Sequence, residues 1–125
     1  DKAIKEKQTM AQTTTWKVND MVRDDSTGGV KTVYWECRVQ DDTHKECEAM
    51  EGGKLRLTPN PSASDFIAYA SLKESDVLGW VYNSLIEEDS DETADEAKAR
   101  IEKVRQDKVT AQVARKTAEA SGMPW

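Results

Sequence analysis

The two cysteines and the single histidine are the side chains of this sequence with the widest range of chemistry. Cys37 and Cys47 fall on the inward face of two consecutive predicted strands, and a three-residue turn at 41–43 would place them directly opposite each other, within disulfide range. No secretory signal is visible, so the sequence predicts two buried, reduced thiols. At this spacing, without a CxxC pattern, they are not expected to bind a metal. His44, beside the turn, is interpreted as a solvent-facing strand residue, with a general base as the alternative.

Two charged stretches have alternative functional interpretations. The acidic run at 87–92 would attract a cation, but it lacks the Asp-x-Asp-x-Asp-Gly loop and the trailing glutamate of an EF-hand. A solvated loop that leads into a helix is the preferred interpretation. The basic stretch at 98–116 contains Glu102 and Asp107 and no aromatic residue. Because the net charge of the chain is −6, this stretch is interpreted as an exposed helix face rather than a nucleic-acid site.

Familiar catalytic signatures are missing from the sequence. It contains no P-loop, GxGxxG, GxSxG or HExxH motif. The sequence therefore predicts no catalytic residue, no cofactor and no metal, and abundant carboxylates do not by themselves identify an acid–base pair. No run of about 18 apolar residues occurs, so no membrane-spanning helix is predicted.

The aromatic residue at the end of the sequence is the least ordinary feature. Trp125 follows Met123 and a proline, and a large aromatic side chain in such a tail either packs onto its own domain or contacts a partner. Met123 and Trp125 are therefore the candidate partner contacts, with a protein partner or a second copy of the chain as the expected occupant.

The elements that must position these residues are organised around the stretch 71–88, which has the clearest apolar periodicity. Its apolar residues recur at helical spacing: Val77, Leu78, Val81, Tyr82 and Leu85. Ser71 and Glu74 have the spacing of a capping box. The pattern predicts an amphipathic helix over 73–87 whose apolar face covers a sheet. If Trp80 on this helix is buried, Trp80→Ala should cost about 3–5 kcal/mol.

The first half of the chain shows the alternation of a sheet with one covered face. A strand is predicted at 13–23 with Trp16, Val18 and Val22 inward, and a second at 30–40 with these residues inward: Val33, Trp35, Cys37 and Val39. A third strand is predicted at 44–50, with Cys47 and Ala49 inward and a bulge or kink at Gly52–Gly53. Residues 54–58 either end that strand or form a short fourth one. Short turns between them predict an antiparallel meander.

The remaining segments complete an α+β domain. Prolines stop the sheet after residue 58, and the crossing segment 59–72 is expected to fill the seam between sheet and helix with Phe66, Ile67 and Tyr69. A second helix begins near Thr93 and has a narrow apolar stripe: Ala94, Ala97, Ile101 and Val104. It either continues to a cap at Gly122 or breaks near Asp107.

The predicted organisation is a flexible tail over residues 1–12 followed by a single domain over 13–125. Within that domain, 13–58 is a meander of three or four strands that is packed on one face by the helix at 73–87. The second helix, or a helix plus tail, occupies 93–121.

Several fragments in this order resemble an uncharacterised family of small proteins from tailed phages of marine and freshwater bacteria, cyanophages among them. The fragments are TTWKV at 14–18, GGVKTV at 28–33, TPNP at 58–61, DFIAY at 65–69, VLGWV at 77–81 and SGMPW at 121–125. The resemblance covers residues 13–125, and the VLGWV block and the closing Gly-x-Pro-Trp are its most specific parts. It implies a viral origin and a virion-associated or tail-associated accessory role, and it transfers no site residue.

Three hypotheses for function follow. The first is a non-enzymatic phage accessory or virion protein that acts through protein–protein contacts, made in the host cytoplasm and incorporated in the virion. The second is a small ligand-binding protein or enzyme with its site between the sheet and the segment 65–69. The third is a phage regulator of host nucleic-acid processes, against which the net charge of −6 argues.

Overall fold

The computed structural model describes residues 11–120. Residues 1–10, which are most of the predicted tail, lie outside the described residues, as do Gly122, Met123 and Trp125. The elements in chain order are β1 (Gln12–Arg23), β2 (Val30–Asp41), β3 (Glu48–Arg56), a 3-10 turn (Tyr69–Ser71), α1 (Glu74–Ser84) and α2 (Ala94–Ala120). The strands form one antiparallel sheet in the order β1-β2-β3, packed against helices. The predicted α+β fold is confirmed, and Gln12, assigned to the tail, is the first residue of β1.

The central strand β2 has the alternation that the sequence predicts. Its inward side chains are buried: Val33, Trp35, Cys37, Val39 and Asp41. The residues between them are exposed or half-buried, so one face of the sheet is covered and the other is open to solvent.

The pairing of β2 with β3 is unbroken from end to end. The Leu57 N–H donates to the Lys31 carbonyl at 2.8 Å, and the Asp41 N–H donates to the Cys47 carbonyl at 3.0 Å. The residue numbers of the two pairs have the same sum, so no residue is inserted between them. The predicted bulge at Gly52–Gly53 is therefore wrong, and residues 54–56 continue β3 rather than form a fourth strand.

Gly53 has a packing role in place of the predicted bulge. It lies opposite Trp35, and a Cβ atom at this position would come within 2.5 Å of Cζ2 of the indole. Only glycine allows the ring to lie this close to the neighbouring strand.

The first strand departs from its predicted pattern near its end. Trp16 and Val18 are half-buried as predicted, but the alternation changes phase over Asn19 and Asp20, which are both exposed. As a result Met21 is half-buried and Val22 is 46% exposed, so the inward placement of Val22 is wrong.

The turn between β1 and β2 forms at residues whose types favour a turn. Gly28 has a φ of 74° and donates its N–H to the Asp24 carbonyl, while the Asp24 N–H donates to Gly29. The Asp24 carboxylate accepts hydrogen bonds from the Ser26 hydroxyl at 2.6 Å and from the N–H groups of Ser26 and Thr27. These bonds, the Ser26 hydroxyl first, favour the charged carboxylate and lower the pKa of Asp24 below its ordinary value of 3.8.

Helix α1 begins later and ends earlier than predicted. Ser71 ends the 3-10 turn instead of capping the helix, and the reciprocal bond is made by Asp76, whose Oδ2 accepts the Lys73 N–H at 3.0 Å. The predicted capping box of Ser71 with Glu74 is therefore wrong. Glu74 instead accepts the Val18 N–H of β1 through its Oε2 at 3.0 Å. The apolar face is confirmed by Val77 and Val81, which are 1% and 0% exposed.

Helix α2 takes the longer of its two predicted forms. A capping box starts it, since the Glu96 N–H donates to the Thr93 hydroxyl and the Thr93 N–H donates to Glu96 Oε1. The helix runs through Asp107 without a break. Val104 is 44% exposed and does not belong to the apolar stripe, whereas Val109 is fully buried.

The chain forms two compact units. We call residues 16–36 and 52–99 the crossing unit; its core contains Val33, Trp35, Val77, Val81 and Ala97. We call residues 11–15, 37–51 and 100–120 the terminal unit, in which Val39, Cys47 and Val109 are buried together against Ala49 and Val113.

Within the terminal unit, α2 makes polar contacts with both edge strands of the sheet. Gln12 of β1 donates to the Gln106 carbonyl and to the Thr110 hydroxyl. On the β3 side, Gln112 donates to the Glu48 carbonyl at 3.1 Å. The helix is thereby fixed along both margins of the strands that it covers.

The two adjacent glycines of β3 provide a matched test of the packing. We expect Gly53→Ala to lower the free energy of unfolding by about 1–3 kcal/mol, because the Trp35 ring must move. Gly52→Ala should be neutral or stabilising by about 0.5–1 kcal/mol, since its Cβ would meet only the Trp35 carbonyl at 3.7 Å. Urea unfolding measures both. Equal losses for the two variants would contradict the assigned register.

The turn provides a test by pH. The carboxyl carbon of Asp24 should titrate in NMR with a midpoint below 3.8. Because the folded pKa is the lower one, the stabilising contribution is present above the unfolded pKa and is lost as the pH falls through the folded value. Ser26→Ala should move the midpoint upward, toward 3.8. An unchanged midpoint in that variant would contradict the role of the hydroxyl.

Candidate functional site: an apolar cleft beside Trp80

The crossing unit contains an open cleft with a volume of about 290 Å³. It lies where the end of β3, the crossing segment and α1 meet. The lining residues are Val30, Leu57, Thr58, Pro59, Asn60, Ala63, Asp65, Phe66, Ile67, Leu72 and Trp80. Its volume is near the lower end of the range for pockets that hold small molecules, about 300–1,000 Å³.

A series of turns in the crossing segment forms one wall of this cleft. The Asn60 side chain accepts the Ser62 N–H at 3.0 Å, and the Asn60 carbonyl accepts the Ala63 N–H at 3.0 Å. The next turn is closed by the Phe66 N–H, which donates to the Ala63 carbonyl at 3.1 Å. Proline at 59 and 61 keeps this segment out of the sheet, so the turns fold beside the strand end.

The aromatic residues of the crossing segment divide into two environments. Phe66 and Ile67 are half-buried and line the cleft, in agreement with their predicted place between sheet and helix. Tyr69 is 41% exposed, and the Arg23 guanidinium lies over its ring at 3.8 Å from the ring centre. The prediction that Tyr69 fills the seam is therefore wrong, because the cation–π contact holds it at the surface.

The composition of the cleft determines what it can do. Among residues 11–120, Asp65 is the only charged one that lines it, and neither Tyr69 nor Tyr82 does so. Acid–base chemistry of the kind that two carboxylates perform needs a pair with separated pKa values, which a single carboxylate cannot provide. The cleft is suited to hold an apolar group beside one negative charge at its wall.

A cluster of aromatic rings holds α1 against the sheet in the crossing unit. Trp16 stacks on Trp35 with ring centres 5.6 Å apart, and Tyr82 of α1 meets Trp16 edge-on at 5.0 Å. Lys98 lies 4.9 Å from the centre of the Tyr82 ring. Each contact has a favourable aromatic geometry, worth about 0.5–1.5 kcal/mol beyond the buried area for the ring pairs. This cluster sets the position from which α1 presents Trp80 to the cleft.

The two cysteines are buried and reduced, as predicted. They are not opposite each other, however. In the observed register Cys47 pairs with Asp41, and the position opposite Cys37 is Glu51. The loop between β2 and β3 is longer than the predicted three-residue turn, so the pairing shifts by four residues.

The buried carboxylate of Asp41 explains this longer loop. Asp41 is 6% exposed, and its Oδ2 accepts the N–H groups of Thr43 at 3.0 Å and His44 at 2.7 Å. These bonds curl the chain immediately after β2, and β3 begins only at Glu48. His44 is consequently half-buried in the loop rather than exposed on a strand, so that prediction is wrong.

The acidic run at 87–92 is a loop, as preferred. Its local bonds include the Ser90 hydroxyl, which donates to the Glu87 carbonyl at 2.7 Å, and Asp89 has a φ of 59°. Across residues 11–120 no group of three or more His, Cys, Asp or Glu side chains is arranged to hold a metal ion.

The basic stretch of α2 pairs with carboxylates. Arg105 binds Glu51 at 3.1 Å with only 17% of its side chain exposed, and Lys103 binds Asp107 at 3.2 Å on the helix surface. Lys116 binds Glu46 and lowers the pKa of that carboxyl. The interpretation as an exposed face holds for Lys103 but not for Arg105, which anchors the helix to β3. In the described part of the chain no helix is long and apolar enough to cross a membrane.

Trp80 provides a test of the cleft wall. It is half-buried, so Trp80→Ala should cost about 2 kcal/mol, less than the 3–5 kcal/mol of a fully buried tryptophan. Urea unfolding measures the loss, and Ser75→Ala at an exposed position of the same helix should change stability by less than about 0.5 kcal/mol. A loss of stability for Trp80→Ala as small as that of the control would show that the indole does not form part of the cleft wall.

Comparison with known proteins gives one match. No curated protein matches the sequence, and no solved structure matches it. A family described as Domain of unknown function (DUF7936) matches residues 11–125, which include every strand and helix described above. The chain therefore belongs to the DUF7936 family.

Proposed function

We propose that the protein is a non-enzymatic accessory protein that works through protein–protein contacts. The observation that supports this best is the cleft beside Trp80, whose lining is mostly apolar and includes Thr58, Asn60 and one carboxylate. Interfaces are commonly anchored by one apolar or aromatic side chain that enters a pocket in the partner. A cleft of about 290 Å³ has space for such an anchor.

The apolar walls also provide the energy for such a contact. Phe66, Ile67, Leu72 and Trp80 are only half-buried, so an inserted side chain would remove part of their remaining surface from water. Burial of apolar surface contributes about 25 cal/mol per Å². Asp65 at the wall favours an anchor that has a donor or a positive charge beside its apolar part.

The biological setting of the proposal is a tailed phage. The resemblance of the VLGWV and Gly-x-Pro-Trp blocks to phage proteins supports an accessory role in or near the virion or tail. On this proposal the chain is made in the host cytoplasm and then joins the particle. Met123 and Trp125 form a further proposed contact, with a protein partner or with a second copy.

There are two alternative functions. The same cleft would suit a small apolar ligand with a donor group, since its volume is close to the lower limit for ligand pockets. A role in host nucleic-acid processes has less support, because three basic side chains of α2, those of Lys103, Arg105 and Lys116, are paired with carboxylates and the chain carries a net charge of −6.

Filling the cleft tests the proposed anchor site. Ala63→Trp places a large ring at the cleft wall, and Ala111→Trp places the same ring on the exposed surface of α2. Phage that carry each variant are purified and the protein is quantified in the particles by mass spectrometry. We expect the native chain and Ala111→Trp in the particles and Ala63→Trp to be depleted at least tenfold, with unchanged thermal unfolding. Absence of the native chain from particles would contradict the virion role, and equal incorporation of both variants would contradict the anchor site.

The terminal contact has a separate test. If Trp125 joins two copies, light scattering should give a dimer or larger species for the native chain and a monomer for Trp125→Ala. Met10→Ala, at the other end of the chain, is the control. A monomeric native chain would exclude self-association and leave a different protein as the proposed partner of Trp125.

A further inference from the structure

Gly52 lies in the interior of β3 although neither the backbone nor the packing there requires glycine. The β2–β3 register passes through it without a bulge, and its φ is not positive. A Cβ atom at Gly52 would make one ordinary contact, 3.7 Å from the Trp35 carbonyl oxygen. A glycine in a strand weakens it, and one without a bulge often marks a place where another molecule approaches the backbone.

The surroundings of Gly52 on the open face of the sheet are aromatic and basic. Tyr34 of the central strand is 37% exposed, and Lys54 of β3 lies 5.6 Å from the centre of its ring. Lys17 of β1 and Arg56 of β3 are exposed on the same face. Two carboxylates lie on this face: Glu36, which accepts a hydrogen bond from Asn19 at 3.1 Å, and the exposed Asp20 of β1.

We propose that this open face of the crossing unit, the Tyr34–Gly52 face, is a docking surface for an acidic, extended segment of a partner protein. Lys17, Lys54 and Arg56 against Glu36 and Asp20 leave the face with one net positive charge, on a chain whose total charge is −6. The missing side chain at Gly52 lets a partner backbone lie close to the sheet beside the Tyr34 ring. This surface is separate from the cleft beside Trp80, so either proposal stands without the other.

An acidic protein segment fits this face better than a single-stranded nucleic acid. Nucleic-acid platforms on open sheets stack successive bases on several aromatic side chains, and this face has one exposed ring. A nucleic acid also carries a phosphate at every step, which the acidic remainder of the chain repels. A short acidic segment contacts only the basic side chains of this face and does not extend over the acidic remainder of the chain.

The test uses a fluorescein-labelled (Glu-Ser)5 peptide, a (Gln-Ser)5 peptide of the same length, and the oligonucleotide (dT)10. Fluorescence anisotropy with the full chain at low salt measures binding, and added salt should weaken it. We expect the acidic peptide to bind, the neutral peptide to bind at least tenfold more weakly, and (dT)10 not to compete.

Three variants test whether binding of the acidic peptide depends on this face or on the rest of the molecule. Lys54→Glu should weaken binding of the acidic peptide at least tenfold, whereas Lys45→Glu, an exposed charge reversal in the terminal unit, should not. Gly52→Val should weaken binding at least tenfold while its thermal unfolding midpoint stays equal to the native value or rises, because valine suits an exposed strand position.

Three results would overturn the proposal. One is no binding of (Glu-Ser)5 up to about 1 mM, the weak end of measurable affinity. Another is equal binding by the native chain, Lys54→Glu and Gly52→Val. The third is Lys54-dependent binding of (dT)10 that is tighter than that of the peptide, which would make the face a nucleic-acid surface.

Discussion

Two of the three strands in this sheet are edge strands, and much of the structure follows from how their open backbone groups are satisfied. In the crossing unit the Val18 N–H at the edge of β1 donates to Glu74, the first residue of α1. In the terminal unit Arg105 and Gln112 of α2 donate to the carbonyls of Met50 and Glu48 on β3. Polar side chains of the helices thus cover edges that would otherwise pair with other chains. The same bonds join the first turn of α1 to β1 and hold α2 along β3.

The sequence predicts the parts of this fold that depend on local pattern. Alternation in β2 and the four-residue spacing of Val77 and Val81 identify the covered face of the sheet and of α1, because the buried residues of β2 from Val33 to Val39 and those of α1 are apolar and keep their period. Details that depend on individual hydrogen bonds between a side chain and the backbone are missed. Glu74 has the spacing of a cap residue yet serves β1, and a buried Asp41 lengthens a loop that composition alone makes a tight turn. In both cases a carboxylate accepts backbone N–H groups: that of a distant strand for Glu74, and those of its own loop for Asp41.

The candidate cleft could be predicted from the sequence only in part. Its position between sheet and crossing segment is one of the sequence hypotheses, and Phe66 and Ile67 line it. The tyrosines expected there are elsewhere, since Tyr69 pairs with Arg23 and Tyr82 with Trp16. The sequence alone does not show whether an aromatic residue packs in the core, makes a cation–π contact or lines a site. Trp80 illustrates this, because it belongs to the same amphipathic helix as the core valines but faces the cleft.

Adjacent Gly52 and Gly53 look alike in the sequence, and both indicate a bulge there. Their side-chain directions are opposite, however, because neighbouring residues of a strand point to opposite faces. Gly53 meets the buried Trp35 indole and has no room for a Cβ atom, whereas Gly52 faces the solvent beside Tyr34 and has room for one. Internal packing therefore accounts for the first glycine and leaves the second unexplained. A residue that weakens a strand without serving its packing is best explained by an interaction outside the fold, and the basic side chains beside Gly52 indicate the charge that such a partner carries.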